Sequence, residues 1–89
     1  MRWKLEFSED ASRDFSSLDH PLRRRVAERL DWLLDNVERI IPLPLTGAWK
    51  GFFKFRAGDI RIIYSIQQER RLIRIEYIDR RDKIYKRRG

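Results

Sequence analysis

Residues 51–64, GFFKFRAGDIRIIY, place Lys54, Arg56 and Arg61 inside two stretches that read as β-strands, with Asp59 the only carboxylate nearby. Like charges gathered on a folded surface repel, so such a cluster suits a site that receives an anion. Arginine forks bind phosphate through paired N–H donors, and flat side chains between them stack on unpaired bases. Strand alternation sorts the residues by face. Phe53 and Phe55 share one face of the first strand, and Phe52, Lys54 and Arg56 share the other. In the second strand Ile60, Ile62, Tyr64 and Ile66 lie opposite Arg61, Ile63 and Ser65. A third strand sets Ile73, Ile75 and Tyr77 against Arg74 and Glu76. The more apolar sets must face a core, which leaves Lys54, Arg56 and Arg61 on an open face with Phe52 and Ile63 between them. That interleaving fits single-stranded nucleic acid; a solvated face whose arginines only discourage edge pairing is the competing reading.

The charge distribution favours the anion site. The chain of 89 residues carries a net charge of +7, but residues 1–45 hold eight Lys/Arg against nine Asp/Glu, and residues 46–89 hold thirteen against five. The whole excess lies in the second half, as expected of a neutral scaffold side and a polyanion-facing side. There is no cysteine and a single histidine, His20, so thiol nucleophiles, thiolate or histidine zinc sites and a Ser-His triad drop out, and no metal site is expected. His20 falls at a helix junction, where capping or packing is its expected role. The N-terminus has no signal-peptide pattern, and no apolar run approaches the ~20 residues that span a bilayer. A soluble cytoplasmic protein, with residues 1–89 as one domain, is the expectation.

The elements that must position these residues are legible as patterns. WKLEF alternates Trp3, Leu5 and Phe7 with Lys4 and Glu6, which predicts a half-buried strand. Ser8 is a helix N-cap with Glu9 and Asp10 in the first turn, and Ala11, Phe15 and Leu18 keep helical spacing over about 9–18. Pro21 suits the first turn of a second helix, whose Leu22, Val26, Leu30, Leu33, Leu34 and Val37 form one apolar stripe. IIPLPLTG, with Pro42 and Pro44, is expected to be irregular. Three strands follow at about 51–56, 60–66 and 71–78, joined by short hairpin turns. The expected fold is α+β in the order β-α-α-β-β-β: a two-helix hairpin packed on a mainly antiparallel four-stranded sheet, the N-terminal strand added at an edge. The tail RRDKIYKRRG is too short and charged to add a layer. Tyr85 follows Arg81 by four residues, so one helical turn would bring them onto one side, and its basic flanks argue for partial exposure.

PLTGAWKGFFKFRAGDIRIIYSI followed by IEYIDRRDKIY resembles the RelE/ParE superfamily of toxins from toxin–antitoxin pairs, over essentially the whole chain. The basic hairpin and terminal tyrosine look more like RelE-type mRNA interferases than ParE-type gyrase poisons. The resemblance implies a ribosome-dependent endoribonuclease that cuts mRNA in the A site without a metal or other cofactor. By that resemblance Arg61 takes the place of a phosphate-clamping arginine, Lys54 of a catalytic lysine, Arg81 of an arginine serving the leaving group, and Tyr85 of a tyrosine that stacks on a base. Two positions depart from the family: Phe52 stands where a second lysine is expected, with Lys50 the nearest substitute, and Arg80 stands where relatives often carry histidine. Lys50, Arg56, Arg80, Lys83 and Lys86 are the expected RNA- and phosphate-binding residues.

Metal-free cleavage needs the 2′-hydroxyl deprotonated, the phosphorane stabilised and the 5′-oxygen protonated. Neither His20 nor Glu76, which is expected to pair with Arg74, is well placed for proton transfer. Arg56 and Arg61 beside Lys54 disfavour its charged form, which fits Lys54 as base. The expected partners are a cognate antitoxin with an acidic or amphipathic segment that folds onto this domain, the ribosome and mRNA; a heterotetramer or similar toxin–antitoxin assembly is expected, and no membrane. The alternatives are a ParE-like inhibitor of DNA gyrase without nuclease activity, and a non-enzymatic module whose basic face receives an acidic partner.

Overall fold

The computed structural model describes residues 2–87. The chain runs β1 (Lys4–Phe7), α1 (Glu9–Ser17), α2 (His20–Asn36), β2 (Leu43–Pro44), β3 (Phe53–Ala57), β4 (Ile60–Gln67) and β5 (Leu72–Arg80), with 3₁₀ turns at Gly47–Trp49 and Ile84–Lys86. One five-stranded sheet has the order β1-β5-β4-β3-β2. β1 pairs parallel to β5 and the other pairs are antiparallel. This is the α+β layout expected, with one strand more than the sequence suggests.

The extra strand comes from the proline-containing crossing. Leu43 pairs with Lys54 and Pro44 with Phe53, and the Leu45 N–H donates to Phe52 O at 3.0 Å. Proline lacks a ladder donor but is tolerated on an edge strand, where β2 lies. Because β2 is only two residues long, the edge of β3 beyond Lys54 has no strand beside it among the described residues.

The helices begin where their caps say. Ser8 Oγ accepts from the Ala11 N–H at 3.0 Å, and Asp19 Oδ1 accepts from the Leu22 N–H at 3.0 Å. Asp19, not the exposed His20, therefore caps α2, and Pro21 sits in its first turn. The α2 stripe buries Val26, Leu30, Leu33, Leu34 and Val37 against Ile60, Ile62 and Tyr64 of β4 and Ile73, Ile75 and Ile78 of β5. Gly58, at φ 63°, opens the two-residue β3–β4 turn, a left-handed position that glycine fills without strain. A Cβ there would also meet the Arg25 guanidinium at 2.9 Å.

β5 departs from simple alternation. Ile63 pairs with Tyr77 but Tyr64 pairs with Ile75, so Glu76 is an extra residue and the strand bulges. Past the bulge Ile78 takes the core position, and Tyr77 turns to the opposite face rather than joining Ile73 and Ile75. The bulge is tied down from α1's side: Ser8 Oγ donates to Glu76 O at 2.7 Å, and Asp14 Oδ2 accepts from the Ile78 N–H at 2.9 Å where β1 has ended.

Two expected outcomes follow from this core. Ser8 holds both the α1 N-terminus and the bulge, so Ser8→Ala should cost about 1–2 kcal/mol of unfolding free energy in a urea titration. Tyr64 is 1% exposed, and burial pushes its phenol up to about 12. An unfolded tyrosine titrates at about 10, so the unfolded state loses its proton first. The stability tied to neutral Tyr64 is complete below that value and is lost as pH rises toward about 12. Tyr64→Phe should therefore flatten the fall of Tm over that alkaline window in thermal melts.

Candidate nucleic-acid interface

The outer sheet face is not the open surface that alternation predicts. Ile63 is wholly buried there, beneath Trp49 from the first 3₁₀ turn and Ile84 from the second, with Phe52 and Tyr77 packed alongside. The bulge supplies Tyr77, and the tail supplies Ile84, so residues expected to add no layer build a small second core. Trp49 is its hub: Tyr77 meets it edge-on at 5.4 Å and Tyr85 at 6.4 Å. This cluster divides the outer face into a hairpin half and a tail half, and braces both.

On the hairpin half, Arg56 stands directly across from Arg61, and Lys54 across from Ile63. Arg61 Nη1 donates to Gly58 O at 2.8 Å, which folds its guanidinium back along the β3–β4 turn. Lys54, Arg56 and Arg61 all line one groove of about 430 Å³, so the structure brings these three together. Lys54 and Phe55 face opposite sides of β3, and both line it; the groove therefore wraps round the strand's uncovered edge.

The groove's far wall was not foreseen from the sequence. Arg29 and Trp32 of α2 line it with Ile41 and Leu43. Trp32 stacks on Phe55 at 5.9 Å and remains 42% exposed, and Ile41 is 87% exposed. Arg29 lies 4.9 Å from the Trp32 ring and 4.5 Å from the Phe55 ring, and its Nε donates to Arg56 O at 3.1 Å. The available signal was a tryptophan three residues after an arginine, off the leucine stripe of α2.

On the tail half, the Arg81 N–H donates to Asp59 O at 3.0 Å and fastens the start of the tail to the β3–β4 turn. Arg80 and Arg81 border a shallow depression with Asp59 and Asp82. The single helical turn expected to join Arg81 and Tyr85 is instead a pair of tighter turns, closed by Lys83 N–H to Arg80 O at 3.0 Å and Lys86 N–H to Lys83 O at 3.1 Å. Tyr85 is 38% exposed, as its basic flanks suggested, with its ring edge against Trp49. Lys50, Lys83 and Lys86 are exposed beside these aromatics in sequence.

The electrostatics separate two kinds of cation. Arg71 pairs with Glu38, and Arg74 with Glu6 and Glu76. Glu76 is further engaged by Ser65 Oγ at 2.8 Å, so it is held as a structural partner of Arg74, as its neighbourhood suggested. Burial works against the Arg87 charge, yet the hydrogen bond and charge of Asp14, aided by Asp79 and Asp10, hold its proton more tightly than usual. By contrast, among the described residues none of Lys50, Lys54, Arg56, Arg61, Arg80, Arg81, Lys83 and Lys86 forms an ion pair. Among the described residues no group of three or more His, Cys, Asp or Glu could hold a metal ion, and no helix is long and apolar enough to cross a membrane.

Comparison with known proteins places this architecture. A family model described as the ParE toxin of the type II toxin–antitoxin system parDE matches residues 5–85. A protein named as a RelE-like toxin of Escherichia coli is 27% identical over 85 residues, covering 93% of this chain and 87% of the relative. A chain in the crystal structure of the toxin–antitoxin complex RelBE2 from Mycobacterium tuberculosis superposes with a TM-score of 0.79 at 27% identity, over 91% of this chain and 100% of that one. One in the archaeal RelE–RelB complex from Pyrococcus horikoshii superposes with a TM-score of 0.70 at 28% identity, over 91% and 97%. The family match spans nearly all of the sequence, and solved RelE-type complexes share the fold: the chain belongs to the RelE/ParE superfamily, as a toxin of type II toxin–antitoxin systems.

Proposed function

We propose that this toxin is a ribosome-dependent endoribonuclease that cleaves mRNA in the cytoplasm. The observation that carries the reading is the set of cations on the hairpin and tail that no carboxylate among the described residues neutralises, beside a tyrosine whose ring is braced and half open. Lys54 acts as base on the 2′-hydroxyl. Arg61 and Arg56 take the charge of the in-line phosphorane, the step where preorganised donors contribute most. The Arg61 fork has five N–H donors, and Nη1 is oriented by backbone carbonyls, so the fork is aimed before substrate arrives. As the O2′–P bond forms and the P–O5′ bond breaks, Arg81 gives the departing 5′-oxygen its proton and Lys54 keeps the one from the 2′-hydroxyl, solvent restoring both. Tyr85 stacks on a base adjoining the scissile phosphate. Lys50, Arg80, Lys83 and Lys86 hold the flanking phosphates. The products are a 2′,3′-cyclic phosphate (or the 3′-phosphate from it) and a 5′-hydroxyl. With Phe52 packed against Trp49 where a second lysine is expected, Lys54 carries the proton transfer without that neighbour.

The RelBE2 and archaeal RelE neighbours are complexes with antitoxins, and this toxin takes a cognate antitoxin in turn. The groove between α2 and β3 suits an acidic, apolar segment of it. Ile41, Leu43 and Trp32 offer exposed apolar surface, and Arg29, Lys54, Arg56 and Arg61 supply the opposite charge.

A second reading rests on the parDE name of the matching family model and on Phe52: a toxin that binds DNA gyrase and cuts no RNA. Induced expression separates the two. The nuclease reading expects new mRNA 5′ ends within translated codons and halted translation; double-strand DNA breaks with intact transcripts would overturn it. With purified ribosomes, Arg61→Ala should lower cleavage by ~10²–10³-fold and Lys54→Ala by ~10²–10⁴-fold. Arg81→Ala and Tyr85→Ala should also abolish detectable cleavage, with circular dichroism unchanged in all four. Full activity in all of them would reject this assignment of roles.

A further inference from the structure

We infer that Arg87 is a positioning residue: it locks the C-terminal turn that carries Arg81 and Tyr85, and it contacts no RNA itself. The inference deepens the nuclease reading and rests on it for the catalytic consequence, but not for the lock.

Arg87 differs from every other described cation of the tail. Its Nη1 donates to Asp14 Oδ2 of α1 at 2.7 Å and lies 3.4 Å from Asp79 Oδ2 of β5. Its guanidinium carbon stands 4.7 Å from the Tyr77 ring centroid, the outward residue of the bulge. The side chain is 24% exposed and that of Asp14 only 16%, so the pair is shielded from solvent more than a surface ion pair is. A guanidinium engaged by two carboxylates and a ring is poorly placed to receive a phosphate.

The tail between these points has little else to fix it. Arg81 is pinned at one end by Asp59 O, and Ile84 is buried in the middle. Beyond Ile84 the described residues have only two short-range backbone bonds, Lys86 N–H to Lys83 O at 3.1 Å and Arg87 N–H to Ile84 O at 3.4 Å. Such tight turns have poor hydrogen-bond geometry and fray readily. Ordering a backbone segment costs entropy that these bonds do not offset alone. Tyr85 lies between the Ile84 anchor and the Arg87 anchor, so the second anchor narrows the backbone from which its ring meets the edge of Trp49. Asp14 makes the link cooperative with the sheet, because the same oxygen accepts from the Ile78 N–H at 2.9 Å.

The experiment uses the full-length toxin and has two arms. In the first, amide hydrogen exchange is followed without ribosomes. Arg87→Gln and Asp14→Asn should each raise exchange of the amides at positions 86 and 87 at least tenfold while core β4 amides keep their protection; unchanged exchange there overturns the lock. In the second, cleavage on ribosomes should show kcat down at least tenfold with KM changed less than threefold for either variant. Arg87→Lys, which keeps the charge but not the fork, should recover part of the loss. The double variant should lose less than the product of the two single losses, since both variants break the Arg87–Asp14 contact. If Arg87 instead grips RNA, Asp14→Asn frees it and activity is kept or rises, which overturns the inference. A fall in activity that only tracks a lower Tm also overturns it. A wild-type toxin that cuts nothing refutes the nuclease reading, and the exchange arm still decides the lock.

Discussion

One extra residue in β5 organises the molecule. Had the strand kept strict alternation through Glu76, Tyr77 would face the helices and Ile78 the outside. The bulge reverses both, and it survives because its polar groups are met: Ser8 takes Glu76 O, and Asp14 takes the Ile78 N–H. A buried carbonyl or N–H without such partners costs the desolvation of that group in full. With Tyr77 turned outward, Trp49, Ile63 and Ile84 gain an apolar neighbour beside Leu45 and Phe52, and the outer face acquires a core of its own. The tail then has something to pack on. Bulges often re-aim side chains beside functional sites, and here the re-aimed ring supports both Trp49 and Arg87.

What the sequence conveyed well was periodic. The α2 stripe from Leu22 to Val37, the alternation of β3 and β4, the Ser8 cap and the glycine turn at Gly58 were all readable, because each rests on local geometry that recurs at fixed spacing. β1 departs from its expected alternation, since Leu5 is exposed. Exposure of Tyr85 and the pairing of Glu76 with Arg74 also followed from neighbours in the chain. Three features were not readable. The bulge leaves no local mark in IRIEYIDR, since its partners Ser8 and Asp14 lie more than sixty residues away. The β2 strand hides in a segment whose prolines argue against any strand, and only its edge position allows it. The groove wall of Arg29 and Trp32 depends on which helix face meets β3, a long-range fact.

Within the candidate site, residue types were legible and their grouping only half so. Lys54, Arg56 and Arg61 do converge, as one hairpin must bring them together. Arg81 and Tyr85 lie on tight turns fastened at Asp59 and Asp14 instead of on one helical turn, and neither lines the groove of the three hairpin cations. Sequence spacing encodes a helix register but not an anchor supplied by another element, which is why Arg87 reads as one more basic residue until its two carboxylates are seen.

The distribution of ion pairs joins these observations into one argument about design. Arg56 and Arg61 oppose each other across the ladder, an arrangement that destabilises a sheet. A sequence with fourteen carboxylates could have neutralised them. Instead Glu6, Glu38, Glu76, Asp14 and Asp79 engage Arg71, Arg74 and Arg87, side chains from β5 and its flanks. The carboxylates thus secure the strand that carries the bulge, and the hairpin keeps its repulsion. Local conflict of this kind persists where function requires it and the surrounding fold over-determines the geometry. The buried isoleucines of β4, one set under α2 and Ile63 under Trp49, provide that over-determination from both faces. Placed between two cores, the hairpin can hold like charges close together, and on the function proposed above an incoming phosphate chain or acidic antitoxin segment would relieve what the free protein cannot.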